Sequence, residues 1–125
     1  MHLPAISVPT MTIPTAGDRI LILKWQWLQL VLDQRKKMEI RALPLRPGRY
    51  FLGFKKNVYG WVDFGDAQRI IHVHQWNKLR SQHMVPWTKL PYKRTYGLPI
   101  LRAKRLSEPV SFFHPQGAVG IVRMR

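Results

Sequence analysis

Short runs of β-branched and aromatic residues, each fenced by a turn signal, limit what this chain can become more than any other feature of it. LPLRPGR (43–49) is a proline and glycine turn that releases RYFLGF, and KKN (55–57) is a second turn before VYGWVDF (58–64). Runs this short, rich in Val, Tyr, Phe and Trp, are strand material and are interrupted too often for ordinary helices. QRIIHVH (68–74) is expected to continue the sheet. The end of the chain offers two more strands, near LPILRAKRL and GAVGIVRMR, separated by SEPVSFFHPQ.

Upstream, RILILK (19–24) is a further apolar strand, and WQWLQLVLDQ (25–34) follows with Trp27, Leu28, Val31 and Leu32 at helical spacing. Trp27 is expected on the core side of that helix. MEIR (38–41) alternates as a strand does, and WNKLRSQH (76–83) suits a helix of one or two turns. PWTKLPYKRTYGLPI (86–100) carries three prolines, which deny it a regular element until about Thr95. Prolines at 4, 9 and 14 make residues 1–18 an extended arm, leaving 19–125 as one domain. A chain of 125 residues is long enough for a single core without staples. Six or seven short strands with a few short helices predict an α+β fold, a small mixed β-barrel with two or three short helices.

Charge is distributed unevenly. Residues 1–33 hold Arg19 and Lys24 against Asp18 and Asp33, so the whole net charge of +15 arises in residues 34–125. Between Asp66 and Glu108 no acid occurs, while basic residues alternate with Trp76, Trp87, Tyr92 and Tyr96. Cations with aromatics among them suit a polyanion whose bases stack, so RNA is the expected partner, alone or with proteins in a ribonucleoprotein. On this reading Lys89, Tyr92, Lys93, Arg94, Tyr96, Arg102, Lys104 and Arg105 contact the nucleic acid. A solvated basic face kept for solubility is the plainer alternative. An anionic membrane surface is disfavoured by the lack of a long amphipathic helix. The proline-studded start has neither a basic leader region nor the length of a membrane span, so a soluble, intracellular protein is expected, with its compartment open.

RKKMEIR (35–41) places one of only six acids among cations. On a strand, Glu39 and Arg41 share a face at roughly 7 Å, and Lys36 enters from the preceding helix end. A carboxylate flanked by cations suits orienting them, or accepting a hydrogen bond from a ligand, better than general-base chemistry. The plainer alternative is a local surface ion pair. The chain contains no cysteine. His72 and His74 share a face of the expected strand, but with no thiolate and no nearby acid a metal site is disfavoured, and no cofactor is expected. With His83, which leads toward the proline-rich loop, and His114, they are read as surface residues. No phosphate-binding glycine loop and no Gly-x-Ser-x-Gly turn occurs.

The run WLQLVLDQRKKMEIR (27–41) resembles the opening motif of the ASCH domain, a PUA-like family in which a Trp-bearing helix leads to Gly-x-Lys-x-x-Glu-x-Arg. Trp27, Lys36, Glu39 and Arg41 fall on those positions. RPGRYFLG, VYGWVDFGDAQRI and the tail PVSFFHPQGAVGIVRMR are similar to the family's later strands in outline. The resemblance implies a PUA-like barrel with a cleft beside the first helix, lined by Lys36, Lys37, Glu39 and Arg41, in which RNA or a nucleotide is held. Some bacterial relatives hydrolyse an amide on acetylated cytidine. In those, threonine stands where this chain has Glu39 and Lys37, which favours binding over that catalysis, and no catalytic residue is assigned. The motif glycine is Gln34, which implies a less sharply turned helix end. Two rivals stay open: a structural RNA-contacting subunit of a large ribonucleoprotein such as a ribosome, and a hydrolase acting on a modified nucleoside.

Overall fold

The computed structural model describes residues 12–125, so most of the expected N-terminal arm lies outside the described residues. In chain order the elements are β1 (Arg19–Ile22), α1 (Trp25–Leu32), β2 (Met38–Arg41), β3 (Gly48–Phe54), β4 (Asn57–Phe64), β5 (Gln68–Ile70), α2 (Val73–Lys78), α3 (Arg80–His83), β6 (Thr95–Ser111) and β7 (Ile121–Arg123). The strands form one seven-stranded sheet ordered β2-β6-β4-β3-β1-β7, with β5 also paired to β6. Among the described residues only the β1 and β3 pairing is parallel, so the sheet is mixed. It curls into a half-barrel because β6 pairs β2 and β5 through residues 95–99 and then β4 from Ile100 onward, with register shifts along the β4 pairing. The architecture is the expected α+β half-closed barrel with three short helices.

Apolar residues on both faces of the central strands explain why RILIL reads as a continuous run. Leu21, Tyr50, Leu52, Val62 and Phe64 face one core with Leu28, Val31 and Leu32 of α1. Ile20, Phe51, Val58 and Trp61 face a second core with Leu106, Phe112 and Val122. A third cluster joins Met38 and Ile40 of β2 to Ile70, Trp76 and Val85. Each fully buried aliphatic side chain stabilises by about 2 kcal/mol. Helix α1 comes so close to β4 that a Cβ on Gly60 would meet the Lys104 carbonyl oxygen at 2.5 Å and crowd the side chain of Leu32. The crossing requires glycine at residue 60.

Three sequence expectations are corrected. QRIIHVH is strand only as far as Ile70; His72 is the extended residue before α2 and His74 lies within that helix. Ile71 and Val73 are exposed, and it is Trp76, fully buried, that decides the segment by placing a helix over the third core. The 76–83 helix is broken at Leu79 into α2 and α3. Finally, β6 runs on through SEPVS, because Val110 and Ser111 find partners in Val58 and Asn57.

The end of α1 is also more sharply turned than a glutamine implies. Gln34 has φ +60, and the backbone closes with Arg35 N–H donating to Leu30 O and Gln34 N–H to Val31 O, both at 3.0 Å. This is a full Schellman closure, in which glycine is the favoured residue at the left-handed position. Gln34→Gly is therefore expected to raise stability by about 1 kcal/mol, read as a higher midpoint in urea unfolding. A fall instead would mean that the 3.3 Å hydrogen bond from Gln34 Nε2 to Ala103 O outweighs the backbone relief.

Candidate functional site

The α1 to β2 turn delivers Lys36 into the interior. Its side chain is 1% exposed, and Nζ donates to the backbone carbonyl of His83, lies 3.7 Å from Glu39 Oε1 and sits 4.9 Å over the ring of Trp27. Burial holds its pKa below the usual lysine range, while the Glu39 carboxylate acts in the opposite direction. Glu39 Oε1 also accepts the Ile40 amide at 3.0 Å. No buried side-chain N or O among the described residues lacks a partner. The second Glu39 oxygen, which takes no hydrogen bond from the described residues, therefore opens on the space beside it.

That space is a cavity of about 440 Å³. Lys36, Glu39, Ile40 and Arg41 form one wall, and Ile22, Leu23, Lys24 and Trp27 a second. Phe54, Val85, Trp87, Pro91, Tyr92, Val119 and Gly120 complete it. Its lining is mostly apolar with a few converging polar groups, the usual make-up of a small-ligand site. Trp27 packs on the third core and also lines the cavity. Arg41 is half buried and takes part in none of the ion pairs among the described residues, which leaves its guanidinium as the available cation of the wall.

His83 is not a surface residue. It is fully buried, stacked on Trp76 at 3.8 Å and 15°, with Nε2 2.9 Å from Trp76 O and Nδ1 accepting the Val85 amide at 2.9 Å. An amide donor on Nδ1 leaves the proton on Nε2, so the ring is neutral, and burial lowers its pKa. Arg80 donates to Val85 O at 2.6 Å and Trp87 O at 2.8 Å, and Trp76 Nε1 to Trp87 O at 2.7 Å. These bonds set the position of the Val85–Trp87 wall.

Of the residues singled out in the sequence, Lys36, Glu39, Arg41 and Tyr92 meet at the cavity. Lys37 does not line it; it borders a second pocket with Arg102 and Lys104, which Lys36 also touches. Lys89, Lys93 and Arg94 are exposed on the loop before β6. Tyr96 lies on β6 opposite Arg41 and Arg69 and is not among the residues that line the cavity. Arg102 bonds Asp63 at 2.9 Å, and Arg105 bonds Asp33 at 2.7 Å. Phe54, Val85, Trp87, Val119 and Gly120 escaped sequence reasoning because each reaches the cavity from a distant segment. Among the described residues no group of three His, Cys, Asp or Glu is placed to hold a metal ion, and no helix is long and apolar enough to cross a membrane.

No family model matches the sequence, and no curated protein matches it. Solved structures do match. A serine-to-alanine variant of an ASCH protein from Zymomonas mobilis superposes with a TM-score of 0.68 at 13% identity, over 90% of this chain and 92% of that one. The unsubstituted Zymomonas mobilis ASCH protein gives 0.67 at 12% identity, over 87% and 88% of the two chains. Likeness at this level of identity establishes architecture alone: this chain shares the fold of the Zymomonas mobilis ASCH protein.

Proposed function

We propose that the chain is an RNA-binding module that holds a base or nucleotide in the cavity beside α1. The observation that carries this reading is the buried Lys36–Glu39 pair, which presents one unpartnered carboxylate oxygen to a cavity of about 440 Å³ on a chain of net charge +15. Lys36 is spent on fixing Glu39 and His83, so it positions and does not itself grip. Glu39 accepts from an amino or imino N–H of the ligand, Arg41 meets a phosphate or carbonyl oxygen, and Tyr92 and Trp87 at the rim offer stacking faces. Lys37, Lys89, Lys93, Arg94, Lys104 and the partly paired Arg102 and Arg105 supply backbone contacts outside the cavity, and Tyr96 stands among them.

That exposed set favours one second reading, a subunit that docks on folded RNA in a ribonucleoprotein and leaves the cavity idle. Fluorescence anisotropy with short RNAs across a salt series separates the two. Glu39→Gln and Arg41→Ala are each expected to weaken binding of a preferred sequence about tenfold, a charged hydrogen bond being worth about 1.5 kcal/mol or more. Equal affinity of wild type and both variants, falling steeply with salt for every sequence, would leave the docking subunit as the reading.

A further inference from the structure

We infer that a single-stranded RNA leaving the cavity is gripped by the Lys55–Lys56 hairpin tip and stacks on Trp25, an inference that rests on the RNA reading of the cavity. Phe54 and Asn57 are directly paired, so Lys55 and Lys56 alone make the turn between β3 and β4. Their φ values are +45 and +67. A two-residue hairpin with both φ positive is the setting in which Asn-Gly is favoured, because an L side chain with a Cβ is strained there. Two consecutive lysines are a poor choice for this turn by any local criterion. Both are exposed, and neither takes part in an ion pair among the described residues. Lys55 Nζ lies 5.4 Å over the Phe54 ring, and strain held at a charged tip with no ion pair among the described residues points to use of that charge.

The surroundings supply the partner's chemistry. Phe54, next to the tip, lines the cavity, as does Lys24. Trp25, the first residue of α1, is 42% exposed; its ring lies 5.3 Å from that of Phe54 and 5.0 Å, edge-on, from that of Tyr59. The indole is thus held by two aromatic rings and keeps an open surface; Lys24 precedes it in sequence, and Lys55 Nζ lies over the Phe54 ring against which the indole packs. A fixed aromatic platform beside cations and continuous with a base-sized cavity fits a strand whose next base stacks while its phosphates pass over the tip.

The test compares wild type with Lys55→Asn/Lys56→Gly and with Trp25→Leu, using a fluorescein-labelled unstructured RNA of 12 nucleotides and a 3-nucleotide RNA taken from its centre. The double variant should gain about 5 °C in Tm from the relieved turn. It should bind the 12-mer about tenfold more weakly, with a salt slope shallower by about 1.4 as two phosphate contacts go, and bind the 3-mer as before. Trp25→Leu should likewise weaken only the 12-mer, by roughly tenfold. If the double variant gains stability and binds the 12-mer as wild type does, the tip is merely a tolerated strained turn and the inference falls while the cavity reading stands. If wild type binds neither RNA, the cavity reading falls and takes this inference with it.

Discussion

Replacing Lys36 by methionine is expected to destabilise the chain by about 3 kcal/mol, although no apolar volume is lost. Nζ is the cation beside a carboxylate that is itself 4% exposed, and it is a donor to the His83 carbonyl, so its removal leaves that carbonyl without its donor and the buried Glu39 charge with the Ile40 amide alone. A buried pair broken on one side costs far more than the pair contributes when whole, because the remaining charge keeps its desolvation penalty. Lys36→Met/Glu39→Gln should therefore recover much of the loss, with a coupling of about 2 kcal/mol in a urea-unfolding cycle. Additive costs would show that the two groups act separately. Titration gives a second signature. Lys36 binds its proton more weakly folded than unfolded, so the unfolded chain carries more protons between the lowered folded value and 10.5. Wild-type stability should rise with pH through that window, and the rise should be missing in Lys36→Met.

The extent to which the sequence disclosed this molecule follows from how local each determinant is. The β3 and β4 hairpin, α1 and β2 are legible because the turn chemistry and periodicity that make them lie inside the segments themselves. The segment 71–74 misleads because Ile71 and Val73 carry strand composition, yet both are exposed and the burial of Trp76 overrides them. The length of β6 is invisible in SEPVS, since its partners Asn57 and Val58 stand some fifty residues earlier. The site divides in the same way. Lys36, Glu39 and Arg41 fall within six residues and their convergence could be read, whereas Val85 and Gly120 reach the cavity only through the curl of the sheet. His83 looked like a surface histidine although its partners are close in sequence, because the stack on Trp76 and the Val85 amide on its ring exist only once α2 and α3 break at Leu79 and fold over the third core.

Trp76→Ala is expected to cost about 4 kcal/mol, the largest loss among single truncations in the third core. The indole is fully buried among Met38, Ile40, Ile70 and Val85, and it also organises the wall beyond them. Its ring stacks on His83, its Nε1 donates to Trp87 O at 2.7 Å, and its carbonyl meets His83 Nε2 at 2.9 Å. Trp76→Phe keeps an aromatic face for His83 but leaves Trp87 O to Arg80 alone, so its cost should stay near 2 kcal/mol while the cavity wall loosens. Ligand affinity should then fall more than stability does. The same stack sets an acid limit. His83 has a folded pKa below 6.5, because burial disfavours the imidazolium and the Val85 amide already occupies Nδ1. The unfolded chain thus takes up this proton first as pH falls, and stability present above 6.5 is lost toward the lower folded value. Urea unfolding at pH 7 and pH 5 reads both effects. Should Trp76→Ala cost under about 2 kcal/mol, or His83→Phe keep the full acid-side loss, α2 would be peripheral packing and the Val85–Trp87 wall would hang on Arg80 alone.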